Sequence, residues 1–281
     1  MKRTASFILV FFLISTAYAQ KKGQKLVKEK ETRILLHTDL GDMKIRLFNE
    51  TPKHRDNFIK LVKDSTLNGT LFHRVIEGFM IQGGDVDSKK AAPGIPLGNG
   101  NVGYTIPAEF NPNYFHKKGA LAGARESDEV NPRKESSGCQ FYIVQGKTFT
   151  DSILNQLELR MKGQLLQQLF TEYINKPENI ATRTNLIRLQ QQQKGDSMQL
   201  LIAPIQPVLD KELEKHPYKF TEEQRNAYKT IGGAPHLDGG YTVFGEVYEG
   251  LDVVDKIAAV EKDQNDRPKK DIHVTFSFID K

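Results

Sequence analysis

Within residues 72–85, the charged side chain of Arg74 stands among apolar residues, an arrangement that could form a catalytic or binding site. The pattern predicts a strand over residues 72–76, a turn, and a second strand over residues 79–82. Because side chains alternate between the two faces of a strand, Arg74 is predicted to share a face with Phe72, and Phe79 with Ile81. A guanidinium is always charged, and burying it without a partner costs free energy. Arg74 therefore either uses its charge in a binding site or extends into solvent from a sheet edge.

Several other short elements must position these two strands. Alternating apolar residues predict strands over residues 33–38, 42–48, 119–124, 140–144, 243–248 and 272–278. Two amphipathic helices are predicted, one opened by Thr51 as N-cap with Pro52 in first position, the other after Gly250. Many short strands with two such helices indicate a mainly β fold, a closed antiparallel barrel with helices over its ends. A β-sandwich would fit the same pattern.

A helical stretch, residues 150–234, interrupts this series of strands. Apolar side chains recur every four residues from Ile153 to Tyr173, which predicts a long amphipathic helix with a wide apolar face. Thr221-Glu222-Glu223-Gln224 is a capping box that opens a last short helix. The stretch is predicted to be a small helical insertion whose apolar faces pack on each other.

Composition limits the classes of function. The chain has 281 residues, and its 40 basic and 35 acidic side chains give a net charge of +5, so no nucleic-acid partner is predicted. A single cysteine, Cys139, excludes an intrachain disulfide. The seven histidines form no ligand pattern, so neither a metal nor another cofactor is predicted.

The first 19 residues are predicted to be a signal peptide. Lys2 and Arg3 precede an apolar run over residues 7–14 and an Ala-Tyr-Ala cleavage pattern. The run is shorter than the roughly 20 residues that span a bilayer, so no stable membrane anchor is expected. An uncleaved anchor or a buried helix is the alternative. The lysine-rich residues 20–31 are predicted to be a solvated linker. We therefore expect an exported protein. The periplasm is the expected location, and the outside of the cell is the alternative.

Three segments, in order, resemble the signatures of the cyclophilins, the peptidyl-prolyl cis/trans isomerases. They are Phe-His-Arg-Val-Ile-Glu-Gly-Phe-Met-Ile-Gln-Gly-Gly-Asp at residues 72–85, Ser-Gly-Cys-Gln-Phe-Tyr-Ile at 137–143, and Pro-His-Leu-Asp-Gly-Gly-Tyr-Thr-Val-Phe-Gly at 235–245. The resemblance implies a closed eight-stranded barrel with two capping helices, formed by residues 32–149 and 235–281. It also implies isomerisation of X–Pro bonds during the folding of exported proteins, without a covalent intermediate.

The resemblance also implies roles for individual residues. Arg74 matches the catalytic arginine of the family. The positions that bind substrate are matched by Phe79, Met80, Gln82, Ala124, Arg125, Gln140, Tyr142, His236, Leu237 and Tyr241. The partners implied are proline-containing unfolded or extended polypeptides, and a monomer is expected.

Four of these positions depart from the residues usual in the family. Tyr142 replaces phenylalanine, Arg125 asparagine, His236 tryptophan and Tyr241 histidine. Arg125 is predicted to bias its subsite toward acidic or polar peptides. An aromatic ring with a polar end is kept at His236 and Tyr241, so packing against proline remains available. The contact that tryptophan makes with the immunosuppressant cyclosporin in the resembling proteins is lost.

Two other functions compete with the isomerase interpretation. A non-catalytic chaperone or scaffold module would hold proline-containing segments with little turnover. Arg74, Phe79 and Gln82 favour the enzyme, whereas the departures at His236 and Tyr241 slightly favour the module. A lectin-like barrel would show clustered exposed aromatics with Asn and Asp, a pattern that the sequence lacks.

Overall fold

A computed structural model describes residues 30–215 and 219–279 of the chain. The predicted signal peptide lies outside these residues, as does most of the predicted linker. The strands are β1 (Arg33–Thr38), β2 (Gly41–Leu47), β3 (Phe72–Ile76), β4 (Met80–Gly83), β5 (Thr105–Ile106), β6 (Ala120–Gly123), β7 (Ser136–Ser137), β8 (Phe141–Val144), β9 (Val243–Glu249) and β10 (Thr275–Phe278). The fold is therefore mainly β, as predicted. Most strand boundaries lie within one residue of those expected, but β10 begins three residues later than predicted, and β5 and β7 were not predicted.

Eight of the strands form one curled antiparallel sheet in the order β10-β1-β2-β9-β6-β8-β4-β3, and β5 pairs separately with β7. The predicted closure of this sheet into a barrel is wrong. Within the described part of the chain, the ladder ends at β3 on one side and β10 on the other. The two edges are linked by an isolated bridge between Leu71 and His273, and by a hydrogen bond from the Phe72 amide to the Ile272 carbonyl (3.0 Å).

The barrel stays open because the chain beside β3 forms a loop rather than a ninth strand. The Val75 amide donates to the Asp266 carbonyl at 2.8 Å, so residue 266 already occupies the outer edge of β3. The neighbouring Arg267, only 3% exposed, donates to the carbonyls of Ala92 and Ile95 and pairs with Asp271. A buried guanidinium needs such partners, and together they fix the loop against the sheet.

The two amphipathic helices predicted after Thr51 and Gly250 are present, and both pack against the sheet. Helix α1 (Pro52–Lys63) packs against β9 and β10, and α7 (Leu251–Ala258) packs against β2, β3 and β4. Both contribute to the main core, α1 through Phe58 and Leu61 and α7 through Val254 and Ile257. Thr51 is the residue before α1, but its hydroxyl donates to the Phe48 carbonyl (3.4 Å) instead of capping the helix.

In the described part of the chain between β8 and β9, five α-helices follow one another. They are α2 (Asp151–Asn175), α3 (Ile180–Gln191), α4 (Gly195–Ile202), α5 (Gln206–Leu213) and α6 (Glu222–Thr230). The capping box predicted at Thr221 and Gln224 is present at the start of α6. In residues 30–215 and 219–279, no helix is both long and apolar enough to cross a membrane.

The apolar face of α2 divides between two clusters. Its first turns join a cluster that we call the basal cluster, whose buried members are Phe115, Leu154, Phe220 and Tyr228. Its later turns join a distal cluster, whose buried members are Leu169, Ile205, Leu209 and Leu213. Ile153, which was predicted to begin the buried stripe, is 44% exposed. The basal cluster attaches the helices to the sheet domain, because Phe115 belongs to the loop that leads into β6.

Candidate active site

A β-bulge at His73 decides where Arg74 points. The pairing of β3 with β4 moves from Phe72 opposite Gly83 to Arg74 opposite Gln82, so His73 is an extra residue. A bulge lets side chains on either side of it lose their alternation. Phe72 and Val75 therefore both enter the main core, whereas Arg74 is exposed. The predicted shared face of Phe72 and Arg74 is wrong for this reason.

The turn between β3 and β4 is one residue longer than the sequence indicated. Phe79 lies in the turn, its amide donating to the Ile76 carbonyl at 3.0 Å, and β4 begins at Met80. The Phe79 ring packs with the cluster that contains Met80, whereas Ile81 belongs to the main core. Phe79 and Ile81 therefore do not share a face, and Phe79 joins the side of the sheet that carries Arg74.

These side chains line an open cleft of about 1060 Å³. Ten of the eleven residues predicted for the site contribute to it: Arg74, Phe79, Met80, Gln82, Ala124, Arg125, Gln140, Tyr142, Leu237 and Tyr241. His236 is exposed and is not among the lining residues. Its ring packs against Phe79, with ring centroids 5.3 Å apart, so it supports the cleft from the side.

One part of the cleft is apolar. Met80, Tyr142 and Leu237 are buried in a single cluster, and Phe79 and Tyr241 pack against it half-buried. The Tyr241 ring meets the Tyr142 ring edge-on, with centroids 5.9 Å apart. The arrangement offers a small aromatic and aliphatic surface of the kind that packs against a proline ring.

The other part of the cleft carries a row of hydrogen-bonded polar side chains. Arg74 Nη1 donates to Gln82 Oε1 (3.4 Å), and Gln82 Nε2 donates to Gln140 Oε1 (3.0 Å). Gln140 Nε2 donates to the carbonyls of Gly98 and Gly100, each at 2.8 Å. Among the described residues, Gln82 is the hydrogen-bond partner of Arg74 that the structure provides. Most of the five donors of the guanidinium are therefore available to a ligand.

The loop that anchors this row is held by Asp85, the last residue of the first motif, for which the sequence predicted no role. Its buried carboxylate accepts the Gly98 amide (2.5 Å) and the Asp87 amide (2.8 Å). A Cβ at Gly100 would lie 1.9 Å from Asp85 Oδ1, so only glycine fits there. Asp85 thus places the two carbonyls that orient Gln140.

The hydroxyl of Tyr142 is hydrogen-bonded to His116, a residue that no sequence motif indicated. His116 Nε2 lies 3.0 Å from the Tyr142 oxygen, and His116 Nδ1 lies 2.8 Å from Asp238 Oδ1. Burial raises the pKa of Tyr142 well above its usual value, so the phenol stays protonated and donates to His116. The second Asp238 oxygen accepts the hydroxyl of Tyr228, on α6. A buried tyrosine hydroxyl requires a hydrogen-bond partner. This requirement was the only indication in the sequence that a residue such as His116 would lie beside Tyr142.

The side chain of Arg125 is 5% exposed, and its guanidinium forms hydrogen bonds and an ion pair within the protein. Nε donates to the Gly240 carbonyl (2.8 Å), and Nη1 donates to the Glu126 carbonyl (2.8 Å) and pairs with Asp128 (2.7 Å). The guanidinium carbon lies 4.3 Å from the centre of the Tyr241 ring, a cation–π contact. These contacts fix the loop that carries Tyr241 on the edge of the cleft.

His73, the bulged residue, also borders the cleft. It is 3% exposed, and neither ring nitrogen has a hydrogen-bond partner among the described residues. Burial lowers its pKa to about 4, so the ring is neutral at physiological pH. Across residues 30–215 and 219–279, no group of three His, Cys, Asp or Glu side chains comes together as metal ligands would.

The fold has a counterpart among solved structures. A cyclophilin-type peptidyl-prolyl cis-trans isomerase from Cryptosporidium parvum superimposes with a TM-score of 0.50 at 17% identity, over 90% of this chain and 99% of that chain. At this identity the likeness concerns the fold, which is that of a cyclophilin.

Sequence comparison extends the likeness from fold to family. The sequence model of the cyclophilin type peptidyl-prolyl cis-trans isomerases matches residues 33–160 and 224–276. The chain belongs to this family of enzymes. Relatives named "Putative peptidyl-prolyl cis-trans isomerase" occur in Staphylococcus aureus and Staphylococcus haemolyticus. Each is 29% identical over 249 residues, which is 88% of this chain and 91% of the relative.

Proposed function

We propose that the chain isomerises X–Pro bonds in extended or unfolded polypeptides, with Arg74 as the catalytic residue. The observation that carries this proposal is the meeting, in one cleft, of a largely unengaged guanidinium with an apolar surface and a fixed row of amides. Phe79, Met80 and Leu237 would hold the proline ring. Gln82 and Gln140 would bind the backbone of the flanking chain.

The chemistry requires no bond to be made or broken. Rotation about an X–Pro bond has to overcome amide resonance, a barrier of roughly 18–20 kcal/mol. In the twisted state the nitrogen regains a lone pair, and the guanidinium of Arg74 can donate to it or hold the rotated carbonyl oxygen. Only interactions that are stronger in the twisted state than in the planar state accelerate rotation. Arg74 fits this role because its donors face the cleft with few competing partners.

We further propose that the clients are exported proteins. The supporting feature is the sequence of residues 1–19, which has the charge, apolar run and cleavage pattern of a signal peptide. Export would place the enzyme in the periplasm or outside the cell, working as a monomer without a cofactor. Secretion of a tagged full-length chain, with and without residues 1–19, tests this location.

We also propose that the later turns of α2, together with α3, α4 and α5, are an insertion that captures client chains. The family model leaves residues 161–223 unmatched, which supports an insertion shorter than the predicted 150–234. Large apolar side chains are exposed on these helices, namely Ile180, Ile187, Leu200 and Val208. Such exposed side chains can bind the apolar side chains of unfolded polypeptides.

The deletion that tests client capture follows from the two clusters. Replacing residues 165–215 with a Gly-Ser linker removes the distal cluster but leaves every member of the basal cluster. We expect activity on a proline tetrapeptide to persist and activity on an unfolded protein to fall. Equal activity of the full and shortened chains on both substrates would refute client capture.

The isomerase itself is tested with the full chain and a protease-coupled assay on an Ala-Pro tetrapeptide. Uncatalysed exchange takes roughly 10–100 s, so acceleration is easily resolved. Tight binding of the peptide without acceleration would favour a non-catalytic binding module instead. Absence of both would refute the proposed function.

A further inference from the structure

A chain of buried hydrogen bonds connects helix α6 to the apolar part of the cleft. The Tyr228 hydroxyl donates to Asp238 Oδ2, and Asp238 Oδ1 accepts both the backbone amide (2.9 Å) and Nδ1 (2.8 Å) of His116. His116 Nε2 then accepts the hydroxyl of Tyr142 at 3.0 Å. Four side chains from three separate parts of the sequence thus form one connected path, which we call the tyrosine relay.

Each member of the relay determines the state of the next. A neutral histidine has one donor nitrogen and one acceptor nitrogen. Because the Asp238 carboxylate can only accept, it requires the proton of His116 to be on Nδ1, which leaves Nε2 free to accept from Tyr142. A buried phenol without an acceptor would lose its preferred position. The orientation of Tyr142 therefore depends on Asp238.

Asp238 in turn is held by Tyr228. The Tyr228 side chain is fully buried in the basal cluster, its ring edge-on to Phe115, Phe149 and Phe220. Its hydroxyl is aimed at the carboxylate by a packed ring on a helix, so it has little freedom to move away. Asp238 also belongs to the segment that carries Leu237 and Tyr241, two residues of the cleft.

We propose that Tyr228 is a positioning residue for the proline pocket, acting through Asp238 and His116 on Tyr142. The helices between β8 and β9 would thereby set the geometry of the cleft without contacting substrate. This inference rests on the isomerase function proposed above. It explains why the ring at position 142 carries a hydroxyl, since that hydroxyl is the end of the relay.

A double-mutant cycle on the full chain tests the proposal. Tyr228→Phe keeps the packed ring and removes only the hydroxyl, and we expect kcat/KM on an Ala-Pro tetrapeptide to fall about threefold to tenfold, mainly through KM. In a chain that already carries Tyr142→Phe, the same change should cause no further loss. A purely structural role would lower activity equally in both backgrounds, and that result would overturn the proposal.

Tyr248→Phe is the matched control. It also removes one tyrosine hydroxyl, but from a ring on β9 that is 38% exposed and does not line the cleft, so tetrapeptide activity should stay at the wild-type level. If Tyr228→Phe does not fold, Asp238→Asn tests the relay from its centre. An amide can donate to Nδ1 and so shift the proton of His116 to Nε2, and wild-type activity of this variant would overturn the proposal.

A spectroscopic readout separates this proposal from the isomerase function. Long-range ¹H–¹⁵N spectra of the full chain report which ring nitrogen of His116 carries the proton. We expect Nδ1–H in the wild type and displaced His116 signals in Tyr228→Phe. Unchanged signals would overturn the relay, whether or not the wild type is active. An inactive wild type with displaced signals would instead refute the isomerase function alone.

Discussion

Replacing Arg74 with alanine should separate catalysis from folding. The side chain is exposed, and its hydrogen bond to Gln82 is long at 3.4 Å, so the variant should lose less than about 1 kcal/mol of stability. Removing a positioned donor that acts in the transition state typically costs a factor of about 100 to 1000, or roughly 3–4 kcal/mol of activation free energy. The catalytic loss should therefore exceed the loss of stability severalfold.

The protease-coupled tetrapeptide assay measures this difference when kcat and KM are determined separately. The loss should lie in kcat, because Arg74 is expected to act mainly on the twisted amide, while peptide binding by the apolar surface persists. Arg74→Lys should restore little activity, since an ammonium keeps the charge but lacks the planar set of donors. Arg133→Ala is the matched control, because this arginine is 81% exposed and does not line the cleft.

Two results would refute the reasoning. Near-normal kcat/KM in Arg74→Ala, with an unchanged circular dichroism spectrum, would exclude Arg74 as the catalytic residue. If Arg74→Ala instead lost activity and peptide affinity by the same factor, Arg74 would be assigned to substrate binding. An interaction that is equally strong in the planar and twisted states changes KM without changing kcat.

Three further predictions follow from other residues of the site. Burial lowers the pKa of His73 from 6.5 to about 4, so between these values the unfolded chain binds a proton at His73 and the folded chain does not. The free energy of unfolding, measured in urea, should thus fall by about 2 kcal/mol between pH 7 and pH 5. The fall should be smaller in His73→Gln and unchanged in the control His37→Gln, which alters an exposed histidine. Cyclosporin should inhibit weakly and His236→Trp should strengthen inhibition; tight inhibition of the wild type would contradict this. Arg125→Asn should raise KM equally for tetrapeptides with an acidic and with a basic residue before proline. A rise in KM confined to the acidic peptides would instead indicate that Arg125 contacts the substrate directly.

The sequence predicted the composition of the cleft better than its geometry. Three motifs lying far apart in the chain supply eight of the ten predicted lining residues, because each motif carries side chains of the types that a proline-binding cleft needs. The face on which Arg74 lies was predicted wrongly, since a bulge at His73 adds one residue without any distinctive residue type. Barrel closure was also predicted wrongly, because it depends on whether residues 266–272 pair or loop, and that depends on the burial of Arg267.

The tyrosine relay could not be predicted for a different reason. His116 and Asp238 are 122 residues apart, and no local pattern connects them. Tyr228 belongs to a helix that the sequence assigned to an insertion, away from the barrel. The sequence could indicate that a buried Tyr142 needs an acceptor, but many side chains could have served. Long-range polar pairs of this kind depend on the packed fold, which determines which groups lose water together.

Arg125 and Tyr241 illustrate how two separate departures from a family pattern can be one physical change. Considered alone, Arg125 adds a charge to a subsite, and the natural prediction is a preference for acidic peptides. In the folded chain its charge is paired with Asp128, its Nε bonds to the Gly240 carbonyl, and its guanidinium stacks on the Tyr241 ring. An asparagine could not reach these partners, and a histidine at position 241 would offer a smaller surface for stacking. The two replacements therefore support each other, and each is best understood by what it does to the other.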